Sequence, residues 1–319
     1  MIQLTTRRFA MAILILFGVS VVIFLLMNVL PGDPVAALLG PDASNADRLA
    51  LRHSLGLDKT LPLQYLDWLG RTLTGNLGYS PYRRAEVLDL LSQAWVNTAI
   101  LAGFSAAFGL ITGISLGFWA GVRRGKVADK VISTAGMAGL SIPSFFVAII
   151  LLTFFAARWR WLPAGGTAVS GGVGQGGAWE FIRHLIMPVV AGSLVTLAIT
   201  ARVTRASIVE TYQADFVETL RAKGLTNQQI LRHVFKNALS PVLTTSGLQV
   251  GYLLGGSVLI ETIFQWPGIG LLLYNAIEAR DLIVVEGSTL VIAGTFVIIN
   301  LLVDLLQAVI DPRQRHALA

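Results

Sequence analysis

Asp215-Phe216-Val217-Glu218-Thr219-Leu220-Arg221-Ala222-Lys223-Gly224-Leu225 is a polar island between two apolar stretches, 185–203 and 242–263. Each stretch approaches the roughly 20 residues that a helix needs to cross a bilayer. Phe216 and Leu220 stand four apart and share one helix face. Asp215 and Glu218 fall in the first turns and Arg221 and Lys223 in the last, which complements the helix dipole. Gly224 supplies the stop. The pattern predicts a short amphipathic helix displayed on one side of a membrane as a docking surface for a soluble partner. A solvated loop, or a helix lying on the bilayer, fits the same composition.

The rest of the chain has the composition of a polytopic membrane protein. Of its 319 residues, 54% are apolar and only 13% charged, where soluble domains carry about 25% charge. With no cysteine, disulfides, thiolate metal sites and cysteine nucleophiles are excluded. The net charge of +6 does not point to nucleic acid, because the basic residues cluster beside apolar runs, as topology signals do.

Six spans are expected, at about 9–30, 94–121, 132–157, 185–203, 242–263 and 287–309, in a single transmembrane domain covering 1–319. The first apolar run is too long for the core of a signal peptide and is read as a retained span. Pro143 predicts a kink in the third span. Arg7, Arg8, Arg123, Arg124, Lys126, Lys130 and the basic residues of 204–240 then fall on one side; Arg158, Arg160, Arg183 and Arg280 fall on the other. The positive-inside rule makes the first side cytoplasmic, with both chain termini there and 204–240 as a cytoplasmic loop. Segment 31–93 is an outer loop, in which Leu49, Leu55, Leu57, Leu61, Leu63, Tyr65, Leu66, Trp68 and Leu69 are expected to pack as a small helical cap. The glycine-rich run 171–177 is expected to be mobile, and 271–277 to form a short re-entrant or interfacial helix.

Catalytic motifs are missing. Gly121-Val122-Arg123-Arg124-Gly125-Lys126-Val127 is one residue short of a phosphate-binding loop and has valine where a hydroxyl belongs. Gly172-Val173-Gly174-Gln175-Gly176-Gly177 follows no strand, so it is not a dinucleotide fingerprint. His53, His184, His233 and His316 show no metal-ligand spacing. The one acid singled out deep in a span is Asp304, about two turns from the inner end. A structural ion pair or capping contact with a cytoplasmic Arg or Lys is preferred there over a substrate or proton site. Gly109, Gly113, Gly117 and Gly121 line one side of the second span, and Gly247, Gly251 and Gly255 one side of the fifth. Such seams serve static packing or a surface on which helices slide.

Glu218-Thr219-Leu220-Arg221-Ala222-Lys223-Gly224 resembles the "EAA" loop of ABC-importer permeases. The Arg-Ala-Lys-Gly-Leu core and Lys236-Asn237-Ala238-Leu239-Ser240-Pro241 are similar to the oligopeptide/dipeptide branch. So are Leu30-Pro31-Gly32-Asp33-Pro34, Leu55-Gly56-Leu57-Asp58, Gly75-Asn76-Leu77-Gly78-Tyr79-Ser80, Ser141-Ile142-Pro143-Ser144, Leu162-Pro163-Ala164-Gly165-Gly166, Phe264-Gln265-Trp266-Pro267-Gly268-Ile269-Gly270 and Asp311-Pro312-Arg313. The family's Glu-Ala-Ala stands here as Glu218-Thr219-Leu220.

The resemblance implies an all-α integral membrane fold, that of a type I ABC importer permease, with a cytoplasmic coupling helix. It implies the first of two permease subunits, in the bacterial inner membrane, carrying di- or oligopeptides. Nickel or metal chelates, glutathione and oligosaccharides are the alternatives; a secondary transporter or channel is a further one. The implied partners are a second, homologous permease, two ATPase subunits that hold ATP and Mg, and an extracytoplasmic binding protein. No cofactor and no catalytic residue belong to this chain. Asp215, Phe216, Glu218, Leu220, Arg221, Ala222, Lys223, Gly224 and Leu225 would dock the ATPase. Ser141, Ser144, Gln249 and Asn300 would line the substrate path. Trp266, Pro267 and Gly268 would shape an outer gate or receive the binding protein; an interfacial aromatic anchor is the other reading of Trp266.

Overall fold

A computed structural model describes residues 2–29, 44–54, 58–167 and 177–310. The expected motifs Leu30–Pro34, Leu55-Gly56-Leu57 and Asp311-Pro312-Arg313, and the glycine-rich run up to Gly176, lie outside the described residues. In chain order the elements are α1 (Ile2–Val29), α2 (Asn45–Ser54), α3 (Leu61–Leu73), β1 (Tyr79–Ser80), β2 (Ala85–Glu86), α4 (Val87–Val122), α5 (Val127–Ser141) and α6 (Ser144–Leu151). A π-helical turn (Leu152–Arg158) continues α6. Then come α7 (Gly177–Tyr212), α8 (Asp215–Ala222), α9 (Asn227–Ile263), α10 (Ile269–Glu278) and α11 (Leu282–Ile310). Among the described residues, α1, α4, α7 and α11 are each long and apolar enough to cross a membrane. Two bent pairs, α5 with α6 and the two halves of α9, bring the number to six.

The helices outrun the apolar windows. α7 continues to Tyr212 and α9 begins at Asn227, so most of 204–240 is helix, and the connection shrinks to 213–226. At Pro143 the chain does not kink but breaks, turning by 99° between α5 and α6. Proline removes an i→i−4 hydrogen bond and disfavours helix at the residue before it; Ile142 is accordingly extended (φ −88°, ψ 122°). α9 bends by 49° between Leu253 and Ser257, where the sequence carries Gly255-Gly256.

α4 and α7 form the spine. They run parallel, and the glycines of α4 meet the carbonyl oxygens of α7 at every fourth residue. A Cβ on Gly109 would stand 3.1 Å from the Ser193 carbonyl, on Gly113 2.8 Å from Leu197, on Gly117 2.4 Å from Ala201 and on Gly121 3.2 Å from Arg205. A side chain at any of the four would push the backbones apart. The second glycine series is different. Gly251 approaches Asn300 of α11, 2.9 Å from its Oδ1 to a Cβ built there, and the surroundings of Gly255 fall outside the described residues.

Among the described residues, three apolar cores follow the spine from end to end. At one end Ile208, Val217, Ile230, Val234 and Ala238 pack together. At the opposite end one cluster centres on Leu101, Met187, Phe264 and Trp266, and another on Val87, Leu91, Ile269 and Val284. The outer segment contributes less to these cores than its leucines suggest. Leu49, Leu61, Leu63 and Leu66 are exposed, and it is Tyr65 and Trp68 of α3 that stack on Phe24 of α1, with ring centroids 5.4 and 5.8 Å away. The β1–β2 hairpin is seated on the start of α11 through a buried hydrogen bond from Ser80 to Asp281.

Candidate functional site

The connection 213–226 is built to hold one short helix outward. α8 starts after Ala214, which is extended (φ −72°, ψ 147°). It ends in a Schellman motif: Gly224 N–H donates to the Arg221 carbonyl (2.9 Å) and Leu225 N–H to the Leu220 carbonyl (3.2 Å). That closure requires the left-handed backbone of Gly224, at φ +77°. α9 follows with a capping box in which Thr226 and Gln229 satisfy each other's backbone N–H groups.

One face of α8 is spent on the chain's own core. Val217 is 1% exposed, and Phe216, Leu220 and Leu225 are half-buried against the cluster of Ile208, Ile230 and Val234. Burying a valine side chain stabilises by about 1.5–3 kcal/mol. Phe216, Leu220 and Leu225 were expected in the docking surface. The structure instead turns their bulk inward, because the neighbouring ends of α7 and α9 supply an apolar cradle. The outward face consists of Asp215, Glu218, Thr219, Arg221, Ala222, Lys223 and Gly224, all exposed. The Arg221 guanidinium lies over the Tyr212 ring, 5.4 Å from its centroid, which ties the end of α8 back to α7.

Beside this helix a half-buried ion pair locks α5 to α7. Asp129, 4% exposed, takes both arms of Arg205, one to Oδ1 and one to Oδ2 at 2.9 Å, and accepts Gly125 N–H at 2.8 Å. Asp129 escaped the sequence reading because it sits among Arg123, Arg124, Lys126 and Lys130, which read as topology signals. At the same end Asp304 pairs with Arg8, joining α11 to α1.

The opposite end holds a second knot. Trp266 is wholly buried; its Nε1–H donates to the Asn97 carbonyl (2.9 Å), and the Asn97 side-chain amide donates to the Pro267 carbonyl (2.9 Å). The interfacial-anchor reading of Trp266 is therefore wrong: the ring fills the protein core, between Phe181 and the start of α4. Gly268 is required for contact, since a Cβ there would sit 2.4 Å from Glu261 Oε2. Glu261, which the sequence reading passed over, is 0% exposed. Its carboxylate accepts Thr98 Oγ1–H (2.8 Å), Gly270 N–H (2.7 Å) and Leu271 N–H (3.3 Å). Ile269 N–H donates to the Thr98 hydroxyl (2.8 Å). One acid thus caps the start of α10 and fastens α9, α10 and α4 together. No sequence signal announces it, because its hydroxyl partner is 163 residues away.

Between the two ends lies a cavity of about 430 Å³ bounded by α4, α6, α7 and α9. Ser144 and Gln249, both expected in the path, line it together with Ser105, Tyr252 and Ser257. Ser141 and Asn300 do not. Ser141 is exposed and its hydroxyl donates back to the Met137 carbonyl (3.0 Å), while Asn300 sits against Gly251 on the α9–α11 contact. Among the described residues no cluster of three His, Asp or Glu could hold a metal ion.

Comparison with known proteins matches residues 113–316 to the family described as binding-protein-dependent transport system inner membrane component. Residues 1–102 match the N-terminal membrane component of the same systems. The di/tripeptide transport system permease protein DppB of Pseudomonas aeruginosa is 37% identical over 340 residues, covering 99% of each chain. The dipeptide permease DppB of Alkalihalophilus pseudofirmus is 35% identical, covering 99% of this chain and 100% of the relative. The glutathione permease GsiC of Escherichia coli K12 is also 35% identical, with the same coverage. Among solved structures, a chain of the inward-facing MetNI methionine ABC transporter superposes with a TM-score of 0.54 at 18% identity. That match covers 70% of this chain and 96% of the other, and it shows the fold.

Proposed function

Because this chain belongs to the inner-membrane components of binding-protein-dependent transport systems, the permease subunits of ABC importers, we propose that it forms half of the translocation path of a peptide importer. The relatives named for di- and tripeptides favour that substrate class. The relative named for glutathione falls inside it, since glutathione is a tripeptide. A second, homologous permease completes the path, two ATPase subunits bind ATP and Mg, and an extracytoplasmic protein delivers the peptide.

The observation that carries the reading is α8. Its apolar face packs into the core, while Asp215, Glu218 and Thr219, with Lys223 just beyond its end, are exposed. A helix held this rigidly transmits force, where a loose loop would absorb it. Nucleotide-driven closure of the ATPases would then bias a two-state membrane part through residues 215–224. The excess of Arg and Lys at this end supports a cytoplasmic face there, with both termini on the same side. Glu261, Asp129 and Asp304 all have structural partners, and we assign no catalytic role to any of them.

The test is co-purification. Glu218→Lys with Lys223→Glu reverses two outward charges and leaves Val217, Phe216, Leu220 and the Arg221–Tyr212 contact in place. The ATPase subunits are expected to separate from the permease pair, while the pair itself stays assembled. Retention of the ATPases together with ATP-driven uptake at the wild-type rate would remove α8 as the docking element.

A further inference from the structure

The central cavity has a polarity of its own. None of the described residues lining it carries a formal charge. Ser144, the first residue of α6, faces it directly behind the 99° break at Pro143. The N-cap there is Pro143, which offers no side-chain acceptor to the first N–H groups of α6. Phe146 N–H already donates to the Pro143 carbonyl (3.0 Å), so it is the N–H groups of Ser144 and Phe145 that the helix start leaves without helical partners, at the positive end of the dipole.

A second feature points into the same space. Ser105 of α4 is 2% exposed, lines the cavity, and its hydroxyl has no hydrogen-bond partner. Across from it stands Gly192 of α7, where an added Cβ would approach the Ser105 Oγ to 3.2 Å. With glycine at 192, no side chain of α7 occupies the approach to that hydroxyl. A buried hydroxyl left unpaired costs about 1–3 kcal/mol, so an unpaired donor at the wall of a cavity marks a place for an acceptor. Gln249, 7% exposed, adds amide donors to the same wall.

We propose that this cavity is a transient binding site for the carboxylate end of a short peptide in passage, formed by the start of α6 with Ser105, Ser144 and Gln249. The inference rests on the peptide reading above and deepens it. A carboxylate suits the site and an ammonium group does not, because the helix start is electropositive and the lining has no acid. The nearest acid along α9, Glu261, has both oxygens engaged by Thr98, Gly270 and Leu271. The lack of a fixed cation also fits passage, since an Arg or Lys would hold the anion too firmly for onward movement, whereas dipoles and hydroxyls release it. The volume exceeds that of a single ion and lies in the range of small-molecule sites, about 300–1,000 Å³.

The purified permease–ATPase complex, without binding protein, is presented with dialanine and with dialanine amide, and binding is read by saturation-transfer NMR. The wild type is expected to favour the acid by about threefold or more, the margin of one charge-assisted hydrogen bond being at least that large. Ser105→Ala is expected to remove about half or more of the dialanine signal without lowering Tm, because deleting an unpaired buried hydroxyl does not cost stability. Equal signals for acid and amide, no signal for either, or an unchanged signal in Ser105→Ala would each overturn the proposal. A parallel uptake assay with binding protein and ATP separates the two levels. Failure of the wild type to import dialanine or larger peptides refutes the peptide reading, whereas uptake without acid preference refutes only the carboxylate site.

Discussion

Replacing Gly117 by alanine tests the spine on which both ends of the molecule are mounted. A Cβ at 117 would lie 2.4 Å from the Ala201 carbonyl oxygen and 2.7 Å from Thr204 Cβ, where ordinary contact begins at 3.4 Å. The obstacle is backbone, so no rotamer change relieves it, and α4 must withdraw by about 1 Å from a closely packed partner. Overpacking of this kind costs about 1–3 kcal/mol, and a backbone clash belongs at the upper end. Alanine regains about 1 kcal/mol through helix propensity. The net expectation for Gly117→Ala is a loss of about 2 kcal/mol. Gly103, on the same helix, has nothing within 4 Å of an added Cβ, so Gly103→Ala should be neutral or stabilising by up to about 1 kcal/mol. The same substitution in one helix therefore changes sign. Thermal unfolding of the purified complex, followed by tryptophan fluorescence, should separate the two variants by several degrees. Coincident midpoints would refute the tight α4–α7 seam. A normal Tm for Gly117→Ala with stalled uptake would favour the sliding surface instead.

Three other outcomes follow from named contacts. Arg205→Met strands the buried Asp129 carboxylate, but because Arg205 itself is one-third exposed solvent reaches the gap, so the complex should lose about 2–3 kcal/mol, below the roughly 3–5 kcal/mol of a fully buried pair; the double variant with Asp129→Leu should recover most of that, and an unchanged midpoint in the single variant would remove the strut. Gly224→Val must adopt a positive φ, a strain of about 1–2 kcal/mol, but meets no atom within 4 Å. It should therefore lower peptide uptake per ATP hydrolysed with little loss of assembled complex, and unchanged coupling in proteoliposomes would count against the Schellman end of α8. Thr98→Val takes a donor from Glu261 and an acceptor from Ile269 N–H, costing about 1–3 kcal/mol. Hydrogen exchange at 268–272 should accelerate, and wild-type protection there would dissolve the Glu261 knot.

The short helix α8 was legible in the sequence because its signals are local: acids first, bases last, glycine after. Which of its residues face outward was not, since Phe216 and Leu220 look exposed until the ends of α7 and α9 are brought beside them. The same limit explains Trp266. A tryptophan next to Pro-Gly at the end of a span reads as an interfacial anchor, and only the distant Asn97 and Phe181 make it core. Glu261 and Asp129 were hidden for opposite reasons, one with no local partner and the other inside a basic cluster. Ser144 and Gln249 line the central cavity. Ser141 misses it because the break at Pro143 leaves it on α5, and Asn300 because Gly251 admits it to the α9–α11 contact.

The central claim is that this chain is half a conduit driven from outside itself through α8. Uptake of labelled dialanine into proteoliposomes decides it. With the second permease, the ATPases, the binding protein and ATP present, dialanine should accumulate, and omission of either ATP or the ATPases should abolish accumulation. Accumulation by this chain alone, without nucleotide, would contradict the account.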